Sequence, residues 1–125
     1  GIATEKANAL MSELRARLPT LGGTTVAGQP IAWADDFAYT DPVDGSVSQK
    51  QGVRVVLEDS SRVVFRLSGT GTEGATLRVY LERHEPDARR QDIPAQEALA
   101  PLIALAEAVA HIRHHTGMDA PSVMT

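Results

Sequence analysis

The sequence predicts an α+β fold of two layers: an antiparallel sheet of about four strands with N- and C-terminal helices on one face. Three observations lead there. Apolar residues recur at helical spacing near both ends of the 125-residue chain, and four segments rich in β-branched, aromatic and aliphatic residues lie between them. The glycine-rich link between the last two segments is too short for a helical crossover, so those strands must run antiparallel.

The first helix carries Ala7, Leu10, Met11, Leu14 and Leu18 on one stripe, and Pro19 with Gly22-Gly23 is expected to end it. Such a stripe serves packing, and part of it could also meet a neighbouring domain. Gln29 to Tyr39 reads as the first strand, with Ile31, Trp33, Phe37 and Tyr39 on alternate positions and a bulge expected at Ala34-Asp35-Asp36. Thr40 to Lys50 is expected to be a connecting loop. Its Asp41-Pro42-Val43-Asp44-Gly45-Ser46 offers two carboxylates, but Pro42 and Asp44-Gly45 are turn chemistry, and two acids without a third ligand make a poor metal site.

Val53 to Leu57 forms the second strand, joined by Glu58-Asp59-Ser60-Ser61 to a third that begins at Arg62. Arg54 and Arg62 read as solvated strand charges. After the fourth strand a charged loop, His84 to Asp92, precedes a helix whose face runs through Leu99, Leu102, Ile103, Ala106, Val109, Ala110 and Ile112 or Arg113. Pro101 marks its initiation or a kink, and Gly117 its stop. His111 and His115 stand four apart near its end, which is metal-like spacing. Cations at a helix C-terminus also complement the macrodipole, which accounts for them without a metal, and no metal site is assigned.

The chemistry concentrates at Ser68-Gly69-Thr70-Gly71-Thr72-Glu73-Gly74-Ala75, flanked by Arg66 and Arg78. With a register symmetric about this run, Leu67 faces Leu77, Arg66 faces Arg78 and Phe65 faces Val79, so leucines and arginines fall on opposite faces of the hairpin. Like charges directly opposed are destabilising, which makes sense of the two guanidiniums if a dianion lies between them. Gly69, Gly71 and Gly74 permit close backbone approach and convergent N–H groups, and Ser68, Thr70 and Thr72 add hydroxyls. A flexible polar hairpin with two incidental arginines is the alternative reading of the same residues.

The segment from Phe65 to Tyr80 closely resembles the C-terminal phosphate-binding segment of phosphoglucomutases, in the α-D-phosphohexomutase superfamily. The likeness extends to Phe37-Ala38-Tyr39-Thr40-Asp41-Pro42-Val43-Asp44-Gly45-Ser46, Gln51-Gly52-Val53-Arg54, Leu99-Ala100-Pro101-Leu102-Ile103, His115-Thr116-Gly117 and the closing Ala120-Pro121-Ser122-Val123-Met124-Thr125. It covers nearly everything from about Trp33 onward. Glu73 departs from the pattern, since a carboxylate among phosphate ligands repels unless it points outward.

The resemblance implies a topology similar to the TATA-box-binding protein. It implies substrate-phosphate contacts from Arg66, Ser68, Gly69, Thr70, Gly71 and Arg78, and no catalytic or metal residue in this chain. The phosphoserine, Asp-rich magnesium and sugar-selecting loops of such enzymes do not occur here. The chain is therefore expected to be a single excised domain, the fourth of a phosphohexomutase, with residues 1–28 a helix and linker from the preceding domain and 29–125 the core. The parent enzyme would interconvert glucose 1-phosphate and glucose 6-phosphate through glucose 1,6-bisphosphate with Mg²⁺, neither of them bound by this domain. Its partners would be a sugar phosphate and the other domains of the same polypeptide. A phosphomannomutase domain, a free-standing phosphosugar or anion-binding module, and a scaffold relative that lost turnover are the other readings.

Composition bounds the rest. Hydrophobic residues at 42% with only 4% aromatic give an aliphatic core. A net charge of −4 argues against nucleic acid and membrane surfaces as partners. The absence of cysteine excludes disulfides and suits the cytoplasm.

Overall fold

Four long strands, β2 (Gln29–Thr40), β3 (Val47–Leu57), β4 (Arg62–Gly71) and β5 (Gly74–Glu82), form an antiparallel meander in the computed structural model. The structure describes residues 3–40, 47–71, 74–87, 89, 94–117 and 123–124. Two short strands extend the sheet to six: β1 (Thr25–Val26) beside β2, and β6 (Val123–Met124), which runs parallel to β5 at the other edge. Helices α1 (Thr4–Leu21), α2 (Ala95–Ala110) and α3 (Ile112–Thr116) complete the chain. The expected α+β class holds, with more strands than the four anticipated, because two-residue strands have no periodicity to read.

Alternation along each strand decides where the core sits. Val53, Val55 and Leu57 of β3, Val63 and Phe65 of β4, and Ala75, Leu77, Val79 and Leu81 of β5 are all buried. They face the helices, where Ala7, Leu10, Met11 and Leu14 of α1 and Leu102, Leu105, Ala106 and Val109 of α2 join the same cluster. Removing such side chains from water is the main favourable contribution to the fold, at roughly 1.5–3 kcal/mol each. The stripe of α1 is thus packed, with Leu18 partly buried at its edge. Among the described residues no helix is long and apolar enough to cross a membrane.

Several boundaries differ from the sequence expectation. The helix α1 runs through Pro19 to Leu21, losing one backbone bond at the proline, and stops at Gly22. The first strand has its register shifts at Ile31/Trp33 and Phe37/Tyr39, not across Ala34-Asp35-Asp36. The extra residue at Ala32 reverses the alternation, so Ile31 is buried while Trp33, 44% exposed, turns to the opposite face. Residues 47–50, expected in a loop, extend β3. The turn at Asp41 to Ser46 lies outside the described residues.

Turn chemistry fixes two links. Ala27 and Gly28, with φ of 49° and 77°, make the tight reversal between β1 and β2. Between β3 and β4, Ser60 takes φ 76° while Asp59 Oδ1 accepts the Ser61 N–H at 2.8 Å. The expected single C-terminal helix is broken at His111, whose φ of 52° ends α2 before α3 begins, and Gly117 at φ 72° ends α3.

Candidate functional site

The face of the sheet turned away from the helices carries three cross-strand rows. Trp33, Val56, Arg62 and Glu82 form one; Asp35, Arg54, Val64 and Tyr80 the next; Phe37, Gly52, Arg66 and Arg78 the third. Each row follows from register, since even-numbered residues of β3, β4 and β5 share this face and the bulge at Ala32 brings odd-numbered residues of β2 to it.

Arg66 stands opposite Arg78, Leu67 opposite Leu77 and Phe65 opposite Val79, as the symmetric register required. Phe65 and Leu77 are wholly buried, whereas both arginines lie half-buried on the open face. The glycine-rich run is not a loop over its whole length. The strand β4 continues to Gly71 and β5 starts at Gly74, with a register shift between Ser68 and Gly71, and in the sequence Thr72 and Glu73 stand between them. Those two residues lie outside the described part, as do the side chains of Ser68 and Thr70. Ser68, Gly69, Thr70 and Gly71 are placed as backbone, the first of them paired with Thr76. Gly74 has φ 99°, where only glycine is unstrained.

Around the arginine pair the charges are organised. Arg54 donates to both carboxylate oxygens of Asp35, at 2.7 and 3.0 Å, and its guanidinium carbon lies 5.0 Å from the Trp33 ring centre and 5.5 Å from that of Phe37. The Asp35 hydrogen bond raises the Arg54 pKa above its ordinary value. Arg62 pairs with Glu82 across the strands at 2.7 Å. Arg54 and Arg62 are thus partly exposed strand charges, each in an ion pair with a cross-strand carboxylate. A cavity of about 570 Å³ opens on this face, walled by Phe37, Val64 and Tyr80, with Arg66 at one end and the Arg62–Glu82 pair at the other.

The contact of Phe37 with Gly52 was not foreseen from sequence. A Cβ on Gly52 would stand 2.3 Å from two carbons of the Phe37 ring, so the ring lies over the glycine. An isolated glycine inside a β-branched run is the signal that could have found the contact, because it marks a place where another group approaches the backbone closely.

His111 and His115 are brought together by a different route from the expected helix face. Glu13 of α1 reaches both: Oε1 lies 3.2 Å from His111 Nδ1, and Oε2 is hydrogen-bonded to His115 Nε2. The His115 hydrogen bond holds the Glu13 carboxyl below its ordinary value. Arg17 joins them, donating to the Val109 carbonyl at 2.8 Å and lying 3.1 Å from His111 Nε2. This cluster ties α1 to the α2–α3 junction. Among the described residues no group of three or more His, Asp or Glu side chains is arranged to hold a metal ion.

Comparison with known proteins places the chain in a family. The family of the phosphoglucomutase-1 C-terminal domain matches residues 1–122. A phosphoglucomutase of Rhizobium radiobacter is 53% identical over 124 residues, which cover 99% of this chain and 23% of that protein. The chloroplastic phosphoglucomutase of Arabidopsis thaliana is 50% identical over 123 residues, covering 98% of this chain and 20% of that protein. Among solved structures, the open form of the exocytosis-sensitive phosphoprotein pp63/parafusin, a phosphoglucomutase from Paramecium, superposes with a TM-score of 0.71 at 36% identity, covering 98% of this chain and 20% of that one. The chain thus spans about a fifth of the length of the relatives it matches, and it belongs to the family of phosphoglucomutase C-terminal domains.

Proposed function

We propose that this domain grips the phosphate of a sugar phosphate that is not being transferred, between Arg66 and Arg78, with backbone N–H groups and hydroxyls of Ser68, Gly69, Thr70 and Gly71 completing the contact. The observation that carries this reading is the register that sets Arg66 directly opposite Arg78 on the open face of the sheet. Two guanidiniums placed so repel each other, and a tetrahedral dianion between them turns that cost into charge-assisted hydrogen bonds. The extended, glycine-rich strand ends beside them leave room for a phosphate to approach the backbone.

The whole enzyme, on this reading, interconverts glucose 1-phosphate and glucose 6-phosphate through glucose 1,6-bisphosphate. Other domains of the same polypeptide supply the phosphoserine and Mg²⁺. The intermediate must turn over between its two transfers, so this site must accept a phosphate from either end of the sugar. A clamp of two arginines and backbone amides suits that demand, because it reads the dianion and not the sugar. Binding energy from this remote phosphate is then available for closing the domains and excluding water around the group in transfer.

The experiment is to join this chain to the missing domains as one polypeptide and assay glucose 1-phosphate isomerisation. Mg²⁺-dependent turnover that collapses in Arg66→Ala is the expected result. Turnover that survives Arg66→Ala, or that the 125-residue chain performs alone, would contradict the reading.

A further inference from the structure

We propose that Phe37 is a positioning residue for Arg66, its ring acting through the vacant side-chain position of Gly52 to hold the guanidinium toward Arg78. The inference rests on the phosphate clamp proposed above and goes beyond it to a residue two strands away. Phe37, Gly52, Arg66 and Arg78 occupy one row across β2, β3, β4 and β5. A side chain on Gly52 would normally separate Phe37 from Arg66. None is there, and the Phe37 ring fills the gap so fully that a Cβ would stand 2.3 Å from two of its carbons. The ring therefore extends across β3 toward β4, and it lines the same cavity as Arg66.

The ring is itself flanked by a held side chain. The Arg54 guanidinium carbon lies 5.5 Å from its centre, and Arg54 is locked by two hydrogen bonds to Asp35. A long arginine side chain loses much rotamer freedom when it grips a ligand, and a rigid wall on one flank removes part of that loss in advance. Because the guanidinium is a planar fork, aim matters as well as charge. On the β2 side the ring is one wall of the cavity that Arg66 also lines, so on this inference it limits the side chain's freedom toward β2 and favours its approach to an anion beside Arg78.

Inorganic phosphate titrated into the 125-residue chain tests this, with the Arg66 and Arg78 Nε–H resonances and the backbone amides of residues 68–71 as separate readouts. In Phe37→Ala the apparent phosphate affinity should fall about three- to tenfold, the order expected when one side chain loses its preorganisation, and the Arg66 Nε–H shift should shrink more than that of Arg78. Phe37→Tyr should restore both. Gly52→Ala, which displaces the ring while keeping it in the chain, should mimic Phe37→Ala and decides the matter if the alanine variant does not fold. Equal losses at Arg66 and Arg78, or affinity in Phe37→Ala and Gly52→Ala as tight as in the parent chain, would overturn the positioning role and leave the clamp standing. No phosphate response in the parent chain would overturn the clamp and this inference together.

Discussion

The Phe37 ring lies against the backbone of Gly52 in the space where any other residue would place its Cβ. Glycine in a strand interior ordinarily weakens it, by roughly 0.5–1 kcal/mol relative to alanine. Here the ring recovers part of that loss by covering the bare backbone. Gly52→Ala in the parent chain is therefore expected to destabilise by about 1–3 kcal/mol through displacement of the ring. In a Phe37→Ala background the same change should become neutral or stabilising. Urea unfolding of the four-membered cycle measures the coupling, and strict additivity would show that the ring and glycine do not interact.

The stripe of α1 belongs to the same core as the sheet, with Leu10 and Leu14 each 1% exposed. Leu10→Ala should cost about 2–5 kcal/mol, the range for a buried leucine whose cavity collapses only partly. Chemical denaturation gives the value. A loss under about 1 kcal/mol would mean that α1 docks loosely and that the sheet with α2 carries the fold without it.

How much of this was legible in the sequence depends on where the periodicity was clean. The register of β4 against β5 was readable, because Leu67, Leu77, Phe65 and Val79 alternate with the arginines without interruption and only one register turns Phe65, Leu77 and Val79 into the core, with Leu67 partly buried beside them. In β2 the alternation is broken by the extra residue at Ala32, so Ile31 and Trp33 looked like neighbours on one face although they point to opposite ones. The glycine run looked like a loop because glycine lacks strand propensity, but cross-strand pairing with β5 carries it as far as Gly71. The break at His111 had no signal, since a non-glycine residue at φ 52° is held there by tertiary contacts to Glu13 and Arg17. Gly52 was visible as a glycine, but the ring that covers it comes from the neighbouring strand β2, fifteen residues earlier in the chain, and only the pairing of the two strands brings it there.

The Glu13 cluster makes α1 docking sensitive to acid. Its hydrogen bond to His115 lowers the Glu13 pKa from an unfolded-like value of 4.5. A depressed carboxylate contributes stability that is fully present above the unfolded pKa and is lost as pH falls through the folded one. The parent chain should thus lose more stability than Glu13→Gln as pH drops from about 5 toward 3, with the two curves converging at the acid end. Thermal melting across that range reads the difference. Parallel curves would show that Glu13 titrates alike in the folded and unfolded chain.

The facing of Arg66 and Arg78 as a phosphate clamp is tested most directly by titrating inorganic phosphate into the 125-residue chain while following the backbone amides of residues 68–75. Gross contacts to a phosphate are offset by roughly 4 kcal/mol or more of lost translational and rotational freedom, so affinity for this domain alone is expected in the millimolar range. Arg66→Ala removes charge-assisted bonds worth about 1.5–3 kcal/mol each and should weaken binding by about tenfold or more. Saturable shifts confined to this segment and to the two arginines, lost in Arg66→Ala, are the expected result. Amides that do not move at tens of millimolar phosphate, or shifts that persist unchanged in Arg66→Ala, would contradict it.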